Sequence, residues 1–270
     1  MEIEFTKMHG AGNDFVMIEN LNGQIELTRE QVARLCDRRF GIGSDGLILL
    51  NPPANDQVQA TMLYYNADGG RVDMCGNGAR CFTFFALQNK IGSESEVSFM
   101  TDAGPMKATV EGDQFTINMT PVKDLRRDQT LATDNNEYAY DFMNTGVEHF
   151  VTFVEDVSKV EIREEGSAIR YHEAFAPKGT NANFAEFTDE GPIKVRTYER
   201  GVEDETLACG TGVTAVAIIA CLKGLATQPV SVLVAGGDTL KVTFEENGDS
   251  LENVTLTGPA KVAYKGQVTV

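Results

Sequence analysis

The chain contains itself twice, and that repetition limits the possible folds more than any other feature of the sequence. Residues 74–78 read Met74-Cys75-Gly76-Asn77-Gly78, and residues 208–212 read Ala208-Cys209-Gly210-Thr211-Gly212. The two cysteines stand 134 positions apart (75 to 209), and each motif leads into an apolar segment of helical length. Further on, Met106-Lys107-Ala108-Thr109-Val110 matches Leu240-Lys241-Val242-Thr243-Phe244, again at an offset of 134 (107 to 241). Later, residues 116–121 resemble residues 254–259 at an offset of 138 (116 to 254). The four extra residues fall at Asn247-Gly248, a hairpin signal, and hairpin loops tolerate insertion. Three matches in one order at nearly constant offset predict two similar halves.

Each half reads as strands plus one helix. Alternating stretches at 107–110, 115–119, 240–244 and 254–257 predict strands. The segments Ala79–Gln88 and Val213–Leu222 are apolar on nearly every side, and a helix of that kind must be buried. A third helix is expected over Thr28–Arg39, amphipathic through Val32, Leu35 and Cys36. It opens with a capping box of Thr28 and Gln31, and Leu27 with Val32 forms a hydrophobic staple. The expected fold is α/β of the α+β kind. It has two pseudo-symmetric lobes, each a curved and mainly antiparallel sheet around a central buried helix. The boundaries expected are 1–121 for a lobe carrying Cys75 and 122–261 for a lobe carrying Cys209, with 262–270 packing back onto the first.

Composition excludes several classes of function. With 42% hydrophobic residues, 8 Pro and 26 Gly in 270 residues, the chain is an ordinary globular one. A net charge of −17 repels phosphate backbones and anionic headgroups, so neither nucleic acid nor a membrane is an expected partner. The first residues, Met1-Glu2-Ile3-Glu4-Phe5, lack the basic flank and apolar stretch of a signal peptide. The run Val213–Leu222 is far shorter than the roughly 20 residues a bilayer requires. A cytoplasmic location follows as the expectation, and there the five cysteines are free thiols rather than a disulfide framework.

Two Cys-Gly-x-Gly turns at helix starts predict chemistry. The first amides of a helix lack internal partners and carry partial positive charge. A thiol placed there ionises easily, its pKa falling from about 8.5 to roughly 3.5–7.5. The same amides can hold a carboxylate, because Gly76, Gly78, Gly210 and Gly212 let the backbone approach closely. Two such turns facing each other across a cleft between the lobes would place thiols on opposite faces of one carbon. That arrangement removes a proton from one face and delivers one to the other, which is racemisation. Cys36, Cys81 and Cys221 lie on apolar helix faces, where a thiol behaves as a small hydrophobe.

Other motifs lead nowhere. Gly41-Ile42-Gly43-Ser44-Asp45-Gly46 matches the dinucleotide fingerprint, but a helix precedes it and a strand at Leu47–Leu50 follows, the reverse of what that site needs. A cysteine-phosphatase loop would need arginine where Cys81 stands, and Arg80 is one position short. His9, His149 and His172 have no metal-ligand spacing. No motif excludes pyridoxal phosphate, but a two-thiol site makes it unnecessary.

Five runs together resemble diaminopimelate epimerases. They are His9-Gly10-Ala11-Gly12-Asn13-Asp14-Phe15, Asn66-Ala67-Asp68-Gly69, the stretch from Cys75 to Cys81, Tyr198-Glu199-Arg200-Gly201, and Ala208 to Gly212. The resemblance implies interconversion of LL- and meso-diaminopimelate, on the path to lysine and peptidoglycan, with no metal or organic cofactor. It implies Cys75 and Cys209 as the acid–base pair, with Gly76, Asn77, Gly210 and Thr211 holding the reacting carboxylate. Asn13, Asn66, Asn181, Glu199 and Arg200 would bind the substrate, chiefly its distal end, and His149 would tune the cysteines with support from Glu199. The sequence departs from some members at Gly46 and at Val147-Glu148, which puts contacts to the distal end in doubt. Proline or hydroxyproline racemisation keeps the same chemistry, and a non-catalytic amino-acid-binding or thiol redox protein is the contrasting class. The partner expected is a small molecule, and a homodimer is left open.

Overall fold

A computed structural model describes residues 1–188, 191–248 and 250–270. The chain divides into two compact units, Met1–Asn118 with Gly258–Val270, and Met119–Thr257. The architecture is mixed α+β, mostly sheet with few helices.

The first unit runs β1 (Glu2–Gly10), β2 (Asn13–Glu19), α1 (Arg29–Cys36), β3 (Gly46–Asn51), β4 (Ala60–Asn66), β5 (Arg71–Val72), α2 (Gly76–Gln88), β6 (Glu96–Thr101), β7 (Gly104–Glu111) and β8 (Gln114–Asn118). A closing strand, Lys261–Thr269, pairs antiparallel with β1. Most neighbours are antiparallel, but β2–β3 and β4–β6 are parallel. Helix α2 packs against β1, β2, β3, β4, β6 and β8, so the sheet surrounds it.

The second unit repeats that order. It runs β9 (Lys123–Ala132), β10 (Glu137–Asn144), β11 (Glu148–Val154), α3 (Ile162–Arg170), β12 (Asn181–Glu186), β13 (Ile193–Glu199), β14 (Asp204–Thr206), α4 (Gly210–Leu222), β15 (Val230–Val234), β16 (Thr239–Asn247) and β17 (Ser250–Pro259). Its parallel pairs, β11–β12 and β13–β15, occupy the same places as β2–β3 and β4–β6. β9 stands to β10 as the closing strand stands to β1. Helix α4 packs against β10, β11, β12, β13, β15 and β16. The repeat read from the sequence is therefore a repeat of topology.

Both central helices are apolar enough to be sealed inside their sheets. In α4 every residue from Gly212 to Ala220 is buried. Each Val or Ile among them contributes about 1.5–3 kcal/mol by leaving water. In α2 the same burial takes in Ala79, Phe82, Phe85 and Ala86, together with the charged Arg80. Each helix starts three residues earlier than its apolar run predicts. The cysteine is the N-cap, and the glycine-rich motif forms the first turn.

Helix α1 carries the expected capping box, with Thr28 Oγ1 accepting from the Gln31 amide and Gln31 Oε1 accepting from the Thr28 amide at 2.8 Å. Leu27 packs in the same apolar cluster as Val32. The helix stops at Cys36, short of the expected Arg39. The Asp37 carboxylate takes the amides of Arg39 and Phe40 at 2.7 Å each, closing a turn that competes with the helix. No helix of the described residues is long and apolar enough to cross a membrane.

Candidate active site

In each unit the residues singled out from the sequence gather at one edge of the sheet, beside the start of the central helix. In the first unit Asn13 begins β2, Asn66 ends β4, and Cys75 caps α2. In the second, Glu148 and His149 begin β11, Asn181 begins β12, Glu199 ends β13, and Cys209 caps α4. Parallel β2 and β3 start at the edge where antiparallel β4 ends, which is why distant residues meet there. The register places Gly46 opposite Asn66 in one unit and His149 opposite Asn181 in the other.

Cys75 is half-buried, with its sulfur 3.5 Å from the Gly78 amide that donates to it and 3.7 Å from Asn13 Oδ1. Asn77 donates from Nδ2 to Asn13 Oδ1 at 3.3 Å, while Arg80 donates from Nη2 to Asn77 Oδ1 at 2.7 Å. Asn13 donates to Asp45 at 2.7 Å. Asp45 and Asp14 share Arg38, and Lys7 reaches Asp14 at 2.7 Å. Burial would raise the Asp14 carboxyl, but hydrogen bonds from Arg38, Lys7 and the Asp45 amide bring it down to about 2. Asn66 is exposed, and Tyr64 donates to its Oδ1 at 2.8 Å. Gly76 opens α2, where its amide belongs to the first helical turn.

Cys209 is buried, and its sulfur lies 3.4 Å from the Thr211 hydroxyl. Thr145 anchors this turn by donating to the Thr211 carbonyl at 2.9 Å. Gly210 opens α4. Asn181 ties two strands together: its Nδ2 donates to the Glu148 carbonyl at 2.9 Å, and its Oδ1 accepts from the Arg200 amide at 2.8 Å. The Arg200 guanidinium pairs with Glu148 at 2.7 Å rather than with its neighbour Glu199. Glu199 instead accepts from the Thr206 hydroxyl at 2.8 Å. The departure at Glu148 thus supplies an internal carboxylate for Arg200.

Behind this edge lies a buried polar cluster. Asn183 donates from Nδ2 to the Phe150 carbonyl at 2.8 Å, and the same nitrogen is 3.1 Å from His149 Nδ1. Thr197 donates to Asn183 Oδ1 at 3.0 Å. That set of partners makes Nδ1 an acceptor and puts the ring proton on Nε2. Among the described residues Nε2 has no hydrogen-bond partner. Burial first, and then the charge of Arg200, push the His149 pKa down to about 3, against the pull of Glu148. The ring is therefore neutral in the folded protein at neutral pH.

A histidine charged more easily unfolded than folded makes stability depend on pH. Its contribution is complete above pH 6.5 and is lost as pH falls toward 3. At pH 5 the expected loss is about 2 kcal/mol. A His149→Gln variant lacks this loss. Thermal unfolding of both proteins should bring their stabilities closer together by about that amount between pH 7.5 and pH 5. A difference that stays constant over this range would contradict the assignment.

The other three thiols are held away from reactivity. Burial raises Cys36 and Cys221 and pushes Cys81 up to about 12. Asp45, Arg80, Asn183 and Thr197 all went unnoticed as site residues in the sequence. Asn183 had a signal: two residues beyond Asn181 on one strand, it must face the same side of the sheet.

The sequence model for diaminopimelate epimerase matches residues 5–124 and 142–263. The chain belongs to the diaminopimelate epimerase family. The diaminopimelate epimerase of Aquifex aeolicus (strain VF5) is 44% identical, over 99% of this chain and 98% of that one. That of Chlorobaculum tepidum is 40% identical, over 97% of this chain and 100% of that one. Like the rest of the family, the chain is an isomerase. Solved structures extend the fold beyond the epimerase family. A hydroxyproline epimerase from Agrobacterium vitis shares it at 18% identity and a TM-score of 0.71, over 99% of this chain and 91% of that one. A phenazine biosynthesis protein of the PhzF family from Enterococcus faecalis does so at 15% identity and a TM-score of 0.73, over the full length of both.

Proposed function

We propose that the protein interconverts LL- and meso-diaminopimelate, with Cys75 and Cys209 as an acid–base pair and without metal or organic cofactor. The observation that carries this reading is that each unit starts its central buried helix at a cysteine, in a Cys-Gly-x-Gly turn. Relatives 38–44% identical over nearly their whole length support the substrate.

One cysteine, as thiolate, takes the α-proton. The other, as thiol, delivers a proton to the opposite face of the same carbon. Protons balance, because the pair holds one before and one after, on exchanged partners. The carbanion between the two steps needs stabilising donors, each worth roughly 3–4 kcal/mol. Amides of Gly76-Asn77 and Gly210-Thr211, at the starts of α2 and α4, supply them. The two thiols titrate as a coupled unit.

Asn13, Asn66 and Asn181 bind polar groups of the substrate. Arg200, its guanidinium shared with Glu148, takes the distal carboxylate, and Glu199 takes the distal ammonium. His149, neutral and buried, supports the second cysteine's surroundings. The reaction feeds lysine and peptidoglycan precursor synthesis, in the reducing cytoplasm that free thiols require.

Purified reduced protein with a chelator and no added cofactor should convert LL-diaminopimelate to the meso form, followed by chiral chromatography. Silence with diaminopimelate, alongside racemisation of proline or hydroxyproline, would overturn the substrate. Silence with all three would overturn the reaction.

A further inference from the structure

Arg200 uses its guanidinium unevenly. Three acceptors converge on Nη1: Glu148 Oε2 at 2.7 Å, the Gly179 carbonyl at 3.2 Å and the Lys178 carbonyl at 3.4 Å. Among the described residues Nε and Nη2 make no hydrogen bond. A guanidinium grips a carboxylate with two neighbouring N–H groups, and the Nε–Nη2 edge is the one left open here. Of the three acceptors Glu148 alone is charged and close, so it sets the rotation of the fork.

The backbone on either side is already fixed. Asn181 donates to the Glu148 carbonyl at 2.9 Å and accepts the Arg200 amide at 2.8 Å, bridging the two residues with one side chain. The two carbonyls belong to a turn that packs against Arg170 on α3. A Cβ on Gly179, whose φ is +71°, would lie 1.9 Å from Arg170 Nη1, so the turn comes as near as glycine permits. The same arginine donates to Glu203 at 3.0 Å, and Glu203 accepts the Gly201 amide at 3.0 Å, next to Arg200. With its backbone held from both sides, the freedom left to Arg200 is a swivel of its guanidinium.

Glu148 can restrain that swivel because it stays ionised. Burial would raise its carboxyl, but hydrogen bonds from its own amide and from Arg200, the Arg200 charge and Lys178 hold it below the ordinary value. Lys178 Nζ, 3.4 Å from Oε1, offsets the repulsion a second carboxylate on Arg200 would meet. We propose that Glu148 is a positioning residue: it holds Nη1 of Arg200 so that Nε and Nη2 grip the substrate's distal carboxylate as a fork. This rests on the reading of Arg200 as the holder of that carboxylate. Glu148 does not compete for the same two donors, and it exchanges no proton.

The test measures KM and kcat for LL-diaminopimelate in Glu148→Ala, Glu148→Gln and Arg200→Lys, with a thermal melt of each. Glu148→Ala should raise KM about tenfold while kcat falls less than about threefold, the mark of lost binding rather than lost chemistry. Glu148→Gln keeps an oxygen for Nη1 and should recover most of the affinity. A lower KM in Glu148→Ala would mean that Glu148 competes with substrate, and an equal KM that it does nothing; either overturns the proposal. An unchanged KM in Arg200→Lys, whose ammonium makes no fork, would overturn the role of Arg200 and the proposal with it.

A second measurement needs no substrate. The ¹⁵N–¹H heteronuclear NOE of the Arg200 Nε group, assigned by its loss in Arg200→Lys, should show a rigid side chain in the parent and in Glu148→Gln, and a mobile one in Glu148→Ala. Equal rigidity in the alanine variant overturns the proposal. Inactivity of the parent toward diaminopimelate would sink the functional reading, and the NOE would still decide whether Glu148 holds the guanidinium.

Discussion

Alanine at Cys75 or at Cys209 is expected to lower epimerase turnover by at least about a thousandfold, because a positioned acid or base contributes roughly 10²–10⁴ and the pair acts as one unit. The fold should survive either change. The Cys75 sulfur accepts one cap bond from the Gly78 amide, and a lost cap costs about 1 kcal/mol. Cys209 makes no such cap bond, and its removal takes away the contact with the Thr211 hydroxyl and leaves a small gap in the core. The unfolding midpoint should fall by only about 2–4 °C in each variant. Steady-state rates with either diaminopimelate isomer, beside a thermal melt, separate the two effects. A variant that turns over within tenfold of the parent would exclude its cysteine from the chemistry.

A second large effect is expected at Gly212, where alanine should cost about 3 kcal/mol and lower the melting temperature by roughly 8 °C. A Cβ built there would lie 2.3 Å from Asn183 Oδ1. That oxygen cannot simply retreat, since Thr197 donates to it and the amide is fixed by Phe150 and His149. Gly78 holds the matching place in the other Cys-Gly-x-Gly turn, yet its neighbours are the ends of two flexible side chains, Ile48 Cδ1 at 2.9 Å and Met62 Cε at 3.3 Å. These can shift, and alanine gains up to about 1 kcal/mol over glycine in a helix. Gly78→Ala should therefore be close to neutral. Equal melting temperatures for the two variants would show that the Asn183 cluster yields more easily than its hydrogen bonds imply.

The contrast between these glycines marks where the sequence stops being legible. The duplicated Cys-Gly-x-Gly motif, the buried helix after each copy and the capping box at Thr28 depend on neighbours close in the chain, and they read directly. Each helix start was misplaced by three residues because a glycine-rich turn has low helix propensity, although the cysteine cap secures it. The parallel pairs β2–β3 and β11–β12 could not be read, since they join segments separated by a helix or a long connection. They are nonetheless what brings His149 beside Asn181 and Gly46 beside Phe15.

Polar partners across such pairings were equally hidden. Arg80 looked like a failed phosphatase arginine, and it is a fully buried donor to Asn77. Asp45 looked like part of a false nucleotide motif, and it fixes the Asn13 amide. Glu148 registered only as a departure from the family pattern, and it is the ion-pair partner of Arg200.

The central claim, that two different groups serve the two faces of one carbon, is tested most directly by the fate of the proton. LL-diaminopimelate is incubated with the enzyme in deuterated water, and substrate and product are separated early in the reaction for NMR. Two bases predict meso product carrying deuterium at the inverted α-carbon, while the remaining LL substrate keeps its protium. A proton taken by one thiol can return only to the face it left, and the deuteron arrives from the other thiol. Deuterium entering the unreacted LL substrate as fast as it enters the product would mean that a single group serves both faces, and the account would be wrong.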